Sequence, residues 1–185
     1  MTCVIGYVDK QSNSIWMGAD SAGTNGSWSQ RIRLDQKVFI RDEMIFGFTS
    51  SFRMGQLLRY KLVIPERKEN EGDFRYLAGA FMDSVIECLK DNNFATIKDN
   101  EISGGFFLLG YRGHLYQIES DFQIGLGEDL YDAVGCGEEY ALGHLKATEK
   151  LKIPIKKKIQ QALECSAYYS AGVAEPFIIE ELKNT

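Results

Sequence analysis

The order of its two hydrophobic periodicities is what most constrains this chain. Strand-type runs fall into two blocks, each followed by two stretches of helical spacing, and one apolar run closes the sequence. Residues 2–8 (TCVIGYV) and 14–20 (SIWMGAD) are β-rich and joined by the polar DKQSNS, a hairpin pattern. The Gly- and Ser-rich SAGTNGSWSQRIR predicts a loop, and KVFIR and MIFGFTS predict two strands on a tight turn at Asp42 and Glu43. Phe52 to Leu62 predicts a helix ending before Pro65 and the charged loop ERKENEGD. Phe74, Leu77, Ala78, Phe81, Met82, Val85, Ile86 and Leu89 then share one helix face, predicting a helix with a continuous buried stripe.

The second block repeats the scheme. GGFFLLGYR and HLYQIES read as strands about a turn at Gly113, AVGCG ends a short strand, and helical spacing resumes from Tyr140 to Leu151. Pro154 starts a further helix with Ile155, Ile159, Ala162, Leu163 and Ser166 on its apolar side and Lys156 to Lys158 toward water; PFIIEEL closes as a strand. Such clustering is not the alternating rhythm of a parallel sheet with crossover helices. It predicts an α+β fold, a four-layer αββα sandwich of two antiparallel sheets flanked by helix pairs, with MIFGF and FFLLG buried on both faces. At 185 residues, a single domain spanning 1–185 is expected.

Composition narrows the function. The net charge is −5 and no basic run exceeds Lys156 to Lys158, so nucleic-acid binding, which needs phosphate neutralisation, is not expected. No basic lead followed by an apolar stretch opens the chain, and no run approaches a membrane span, so a cytoplasmic protein without membrane contact is expected. Cys3, Cys88, Cys136 and Cys165 include no C-x-x-C pair, which argues against a zinc site and against a disulfide framework; three of the four read as core residues. No cofactor is expected. His114 and His144 lie far from any G-x-S-x-G elbow, which the sequence lacks, and read as structural or surface residues. VGCGEEY has Gly135 and Gly137 at a strand-to-helix junction, but Tyr140 stands where a nucleotide fingerprint needs its third glycine. A turn whose N–H groups point at something else is the tighter reading.

The remaining chemistry is at the start. With Met1 removed, Thr2 becomes an N-terminal threonine, carrying a hydroxyl nucleophile and an amine base on one residue. That amine has an ordinary pKa of about 7.7 to 8.0, suited to a general base at neutral pH. Asp20 ends the strand WMGAD and Lys37 starts KVF. A lysine ammonium beside the threonine would keep the amine neutral and stabilise a developing alkoxide, with the aspartate fixing the lysine.

These residues resemble the proteasome β-subunit branch of the N-terminal nucleophile (Ntn) hydrolases, and are similar especially to its HslV-type peptidases. TCVIGYV resembles the family's opening strand, MGADSAGTNG its aspartate segment, DQKVF its lysine segment and FGFTSSFRMGQLL its oxyanion turn; VGCGEEYALG and YSAG resemble its Gly-Ser-Gly turn and late Tyr-Ser-Gly-Gly. The resemblance implies Thr2 as nucleophile and base, Asp20 and Lys37 as the charge pair, the Ser50 N–H as oxyanion donor, and Cys136 and Ser170 in the supporting hydroxyl positions. Three residues depart from the pattern: Ser50 replaces a glycine, Cys136 a serine, and Ala167 an aspartate.

The function so implied is threonine-dependent hydrolysis of a peptide or unfolded protein by a homo-oligomeric ring, with an ATP-dependent unfoldase as a further partner. Two other readings stay open: a noncatalytic, ring-forming scaffold member, and an Ntn amidase acting on a small nonpeptide amide.

Overall fold

In a computed structural model, which describes residues 1–25 and 29–183, two antiparallel sheets stack face to face between helices. The first sheet has the order β12-β1-β2-β13, from Tyr131–Val134, Val4–Asp9, Ser14–Ala19 and Ile178–Lys183. The second runs β11-β10-β9-β6-β5, from Ile124–Leu126, His114–Ile118, Phe107–Tyr111, Met44–Phe48 and Val38–Arg41. Three apolar clusters separate the layers. Val4, Ile15, Met17, Val38, Ile45 and Leu108 fill the space between the sheets. Phe46, Phe81, Val85 and Leu89 join the second sheet to α1 (Phe52–Tyr60), α2 (Asp73–Tyr76) and α3 (Met82–Asp91). Cys3, Ile5, Ala141, Leu145, Ile159 and Leu163 join the first sheet to α4 (Glu138–Thr148) and α5 (Ile155–Tyr169). The expected αββα order is therefore present. β6 and β9 are buried along their whole length because each faces the other sheet on one side and helices on the other.

Local departures have physical causes. The expected loop after Asp20 contains a two-stranded ribbon, β3 (Ala22–Asn25) with β4 (Ser29–Ile32); its centre, 26–28, lies outside the described residues. β7 (Thr96–Lys98) with β8 (Glu101–Ser103) adds a second ribbon whose residues are mostly exposed, so no apolar pattern announced it.

The helix expected from Phe74 onward is not continuous. A π turn at Leu77–Phe81, with Gly79 at φ −106° and ψ −107°, inserts a residue between α2 and α3. The inward face shifts accordingly: Tyr76 is buried, while Phe74 and Ala78 are exposed. Lys158, expected in water, is buried on α5, and its Nζ donates to the Glu149 carbonyl at 2.9 Å. Of the cysteines, Cys3 is buried, Cys88 and Cys165 are half-buried, and Cys136 is exposed.

Candidate active site

Strand register assembles the site. β1 pairs with β2 at Val4↔Ala19, which leaves Cys3 beside Asp20 just past the ladder. The Cys3 N–H donates to Asp20 Oδ1 at 3.0 Å, and the Asp20 N–H donates to the Cys3 carbonyl at 3.3 Å. On its other side, β1 pairs with β12 at Val4↔Val134, so the chain beyond β12 turns around Thr2. Lys37 arrives from the opposite sheet, at the residue preceding β5, and crosses the inter-sheet space.

Its ammonium donates to Thr2 Oγ1 and to Asp20 Oδ1, both at 2.8 Å. Asp20 Oδ2 also accepts the Ala22 N–H at 2.8 Å and the Ala174 N–H at 3.3 Å. Thr2, Asp20 and Lys37 are 4%, 1% and 2% exposed, so this is a charge pair inside the protein, with the Phe52 ring over the ammonium. Such a pair is tolerable only when its remaining donors and acceptors are satisfied, as the three N–H bonds to Asp20 achieve. Burial pushes the Lys37 ammonium below the ordinary lysine range, against the opposing pull of Asp20.

The nitrogen side of Thr2 is built from turns. The Thr2 N–H donates to Cys136 Sγ at 3.2 Å, and that sulphur lies 3.3 Å from Ser170 Oγ at the end of α5. The glycines around Cys136 serve Thr2 and not a phosphate. Gly137 N–H donates to the Thr2 carbonyl at 3.3 Å, and Gly135 N–H donates to the Glu138 carboxylate at 2.8 Å. Gly135 has φ +106°, and a Cβ there would lie 2.3 Å from the Thr2 carbonyl oxygen, so only glycine fits.

The Thr2 hydroxyl donates to the Met1 carbonyl at 2.5 Å, and the Met1 side chain packs over Gly172. As long as the Met1–Thr2 peptide bond is intact, the Thr2 nitrogen is an amide without a basic lone pair. Ala167 packs into the helix-side core, and the buried hydroxyl nearby is that of Ser166, which donates to the Gly137 carbonyl at 2.9 Å and so braces the turn.

Ser50 borders the same space. It adopts φ +68°, the left-handed conformation in which glycine is unstrained, so its departure from glycine has a conformational cost. The Ser50 hydroxyl offsets part of that cost by accepting the Phe106 N–H at 3.1 Å, and Ser51 caps α1 by accepting the Arg53 N–H. Among the described residues no protein acceptor is bonded to the Ser50 N–H. A cleft of about 400 Å³ opens here, lined among others by Met1, Ser50, Phe106, Glu119, Cys136 and Glu138.

Of the site residues expected from the sequence, Lys37 and Cys136 bond Thr2 directly, Asp20 reaches it through Lys37 and Ser170 through Cys136, while Ser50 and Cys136 line the cleft; neither His114 nor His144 lines it. Sequence reasoning missed Glu138 and Ser166. Glu138 had a signal, standing three residues after a glycine at a helix start, where a carboxylate reaches back to a free N–H. Ser166 had none beyond its place on an apolar face. No group of His, Cys, Asp and Glu among the described residues has the arrangement of a metal site, and no described helix is long and apolar enough to cross a membrane.

No family model matches the sequence, and no curated protein is similar enough to be matched. Solved structures do share its fold. BPH from Thiobacillus denitrificans, in complex with epoxomicin, has a TM-score of 0.81 at 14% identity, with 98% of each chain covered. Eukaryotic HslV from Trypanosoma brucei has a TM-score of 0.70 at 14% identity, covering 99% of this chain and 100% of that one. Anbu, an ancestral beta-subunit, from Yersinia bercovieri has a TM-score of 0.68 at 14% identity, covering 99% and 82%.

Proposed function

We propose that this chain, which has the proteasome-like fold of the Ntn hydrolases, is a threonine-dependent peptidase of HslV type, active once Thr2 is the first residue. The observation that carries the reading is Lys37 Nζ, 2.8 Å from Thr2 Oγ1 and held by buried Asp20. An ammonium bonded to a hydroxyl oxygen favours the alkoxide that develops as its proton leaves.

In this reading the Thr2 hydroxyl attacks the carbonyl carbon of an amide in the cleft, and the freed Thr2 amine accepts the hydroxyl proton, directly or through water. Cys136 and Ser170 orient that amine. The Ser50 N–H donates to the carbonyl oxygen as it becomes an oxyanion. The amine then returns a proton to the leaving nitrogen, and water attacks the acyl-threonine to regenerate the site. The substrate class is a peptide or unfolded protein, the working form a ring of identical chains, and an ATP-dependent unfoldase the partner that would feed it.

A second reading, a noncatalytic scaffold of the same fold, is favoured by the strained backbone at Ser50. Intact-mass spectrometry separates the two. The peptidase reading expects purified protein to lack Met1, and Thr2→Ala to reduce hydrolysis of fluorogenic peptide amides by about 10³-fold or more, as removing a nucleophile does, with an unchanged circular dichroism spectrum. Retained Met1, or hydrolysis unchanged in Thr2→Ala, overturns it.

A further inference from the structure

Cys136 is exposed at the cleft, and its sulphur is 3.2 Å from the Thr2 nitrogen and 3.3 Å from Ser170 Oγ. Where a serine would offer the amine an inert hydroxyl, this chain offers an oxidisable sulphur. Its surroundings favour reaction. Once Met1 is gone the Thr2 nitrogen is a nucleophilic amine within hydrogen-bond distance of this sulphur.

Access improves with the same event. Met1 packs over Gly172, and a Cβ on Gly172 would lie 2.7 Å from Cys136 Sγ, so glycine together with loss of Met1 leaves space beside the sulphur. The neighbouring Cys3 differs in each respect. It is fully buried, bonded to Ser166 Oγ at 3.5 Å, and burial pushes its thiol up to about 12.

We propose that Cys136 is a redox modification site: a peroxide oxidises it to a sulfenic acid, which the Thr2 amine captures as a sulfenamide, locking the site reversibly. In the first step the thiolate attacks one peroxide oxygen, the O–O bond breaks and hydroxide or alkoxide leaves, so sulphur is oxidised and the peroxide reduced. In the second, the amine lone pair attacks sulphur, the S–O bond breaks, and hydroxide departs with an amine proton as water. The resulting sulfenamide nitrogen keeps a lone pair but is far less basic than the amine, so the hydrolytic mechanism loses its base. A thiol reverses it: thiolate attacks sulphur, the S–N bond breaks, the amine recovers its proton, and a second thiol releases Cys136 from the mixed disulfide. The inference rests on the proposed function only in requiring Thr2 to carry a free amine.

The test uses the full chain beginning at Thr2, produced by cleaving a removable leader, and treated with hydrogen peroxide at a few equivalents. Intact mass is expected to fall by about 2 Da, the loss of two hydrogens on forming one S–N bond. Edman degradation is expected to be blocked, fragment spectra to join Thr2 to Cys136, and dithiothreitol to restore both mass and a readable N-terminus. Cys136→Ser is expected to show no 2 Da loss. A gain of about 16 or 32 Da with an open N-terminus means oxidation without capture and overturns the proposal. So does a 2 Da loss with an open N-terminus, which means a disulfide, or one that persists in Cys136→Ser. No substrate is involved, so an inactive protein leaves this test intact, and a missing crosslink leaves the threonine mechanism intact.

Discussion

The two sides of Thr2 are built differently. Its oxygen faces Lys37 and Asp20, residues from opposite sheets, buried and bonded throughout. Its nitrogen faces Cys136 and Ser170, residues of turns that follow β12 and α5, at the protein surface. On the oxygen side, chemistry and stability are carried by the same atoms, because Lys37 also ties one sheet to the other. On the nitrogen side they separate, and substitutions there can change reactivity with little effect on folding. The departures Ser50 and Cys136 both lie on the exposed rim.

Lys37→Met tests the oxygen side and carries the largest expected effect. It leaves Asp20 charged and buried with only N–H partners, and is expected to cost about 3 kcal/mol in urea unfolding, the lower part of the range for breaking a buried pair. Loss of the ammonium is expected to lower peptide hydrolysis by about 10²- to 10³-fold. A variant of wild-type stability would mean that the pair does not join the sheets.

A smaller effect is expected at Glu138, on the nitrogen side. Burial raises its carboxyl above the ordinary glutamate range, opposed by the Gly135 N–H. The folded state therefore holds this proton more tightly than the unfolded chain. That contribution is full below the ordinary value of 4.5 and is lost as pH rises through the raised one. Glu138→Gln, which keeps an oxygen for the Gly135 N–H, is expected to lose this fall in stability with rising pH, measured as Tm from pH 4 to 8. An unchanged pH profile would remove Glu138 from the account.

Ser50→Gly is expected to do least. Relief of the left-handed backbone gains about 1 kcal/mol, while loss of the Ser50 Oγ bond to Phe106 N–H costs about as much. Stability in urea unfolding should stay within about 1 kcal/mol and the hydrolytic rate within about threefold, since the N–H donor is retained. A large loss of activity would show that the serine hydroxyl, and not the backbone N–H, serves the site.

The same contrast explains what the sequence disclosed. The four layers were legible because β1, β2, β6 and β9 carry apolar residues in strand-length runs, and α4 and α5 carry one-sided apolar spacing. Asp20 and Lys37 stand at strand ends, where spacing alone gives neither a role; the resemblance of MGADSAGTNG and DQKVF singled them out, and the ion pair that joins them required the fold. The π turn was not, because spacing assumes an uninterrupted helix, and one inserted residue moved the inward face from Phe74 and Ala78 to Tyr76. Lys158 was misread because a lysine can bury its stem and find a carbonyl, here Glu149, that no periodicity reveals. Ser50 could be placed by its motif, but its backbone angle, and the hydrogen bond that accompanies it, required the fold.

Covalent labelling tests the central claim, that buried Lys37 makes Thr2 the nucleophile, most directly. Protein lacking Met1 is incubated with a peptide-like β-lactone, digested, and the acylated residue located by mass spectrometry. A single ester on Thr2 Oγ is expected, absent in Thr2→Ala and formed about 10²-fold or more slowly in Lys37→Met. An adduct on Cys136 in place of Thr2, or a Thr2 ester forming at the same rate without Lys37, would contradict it.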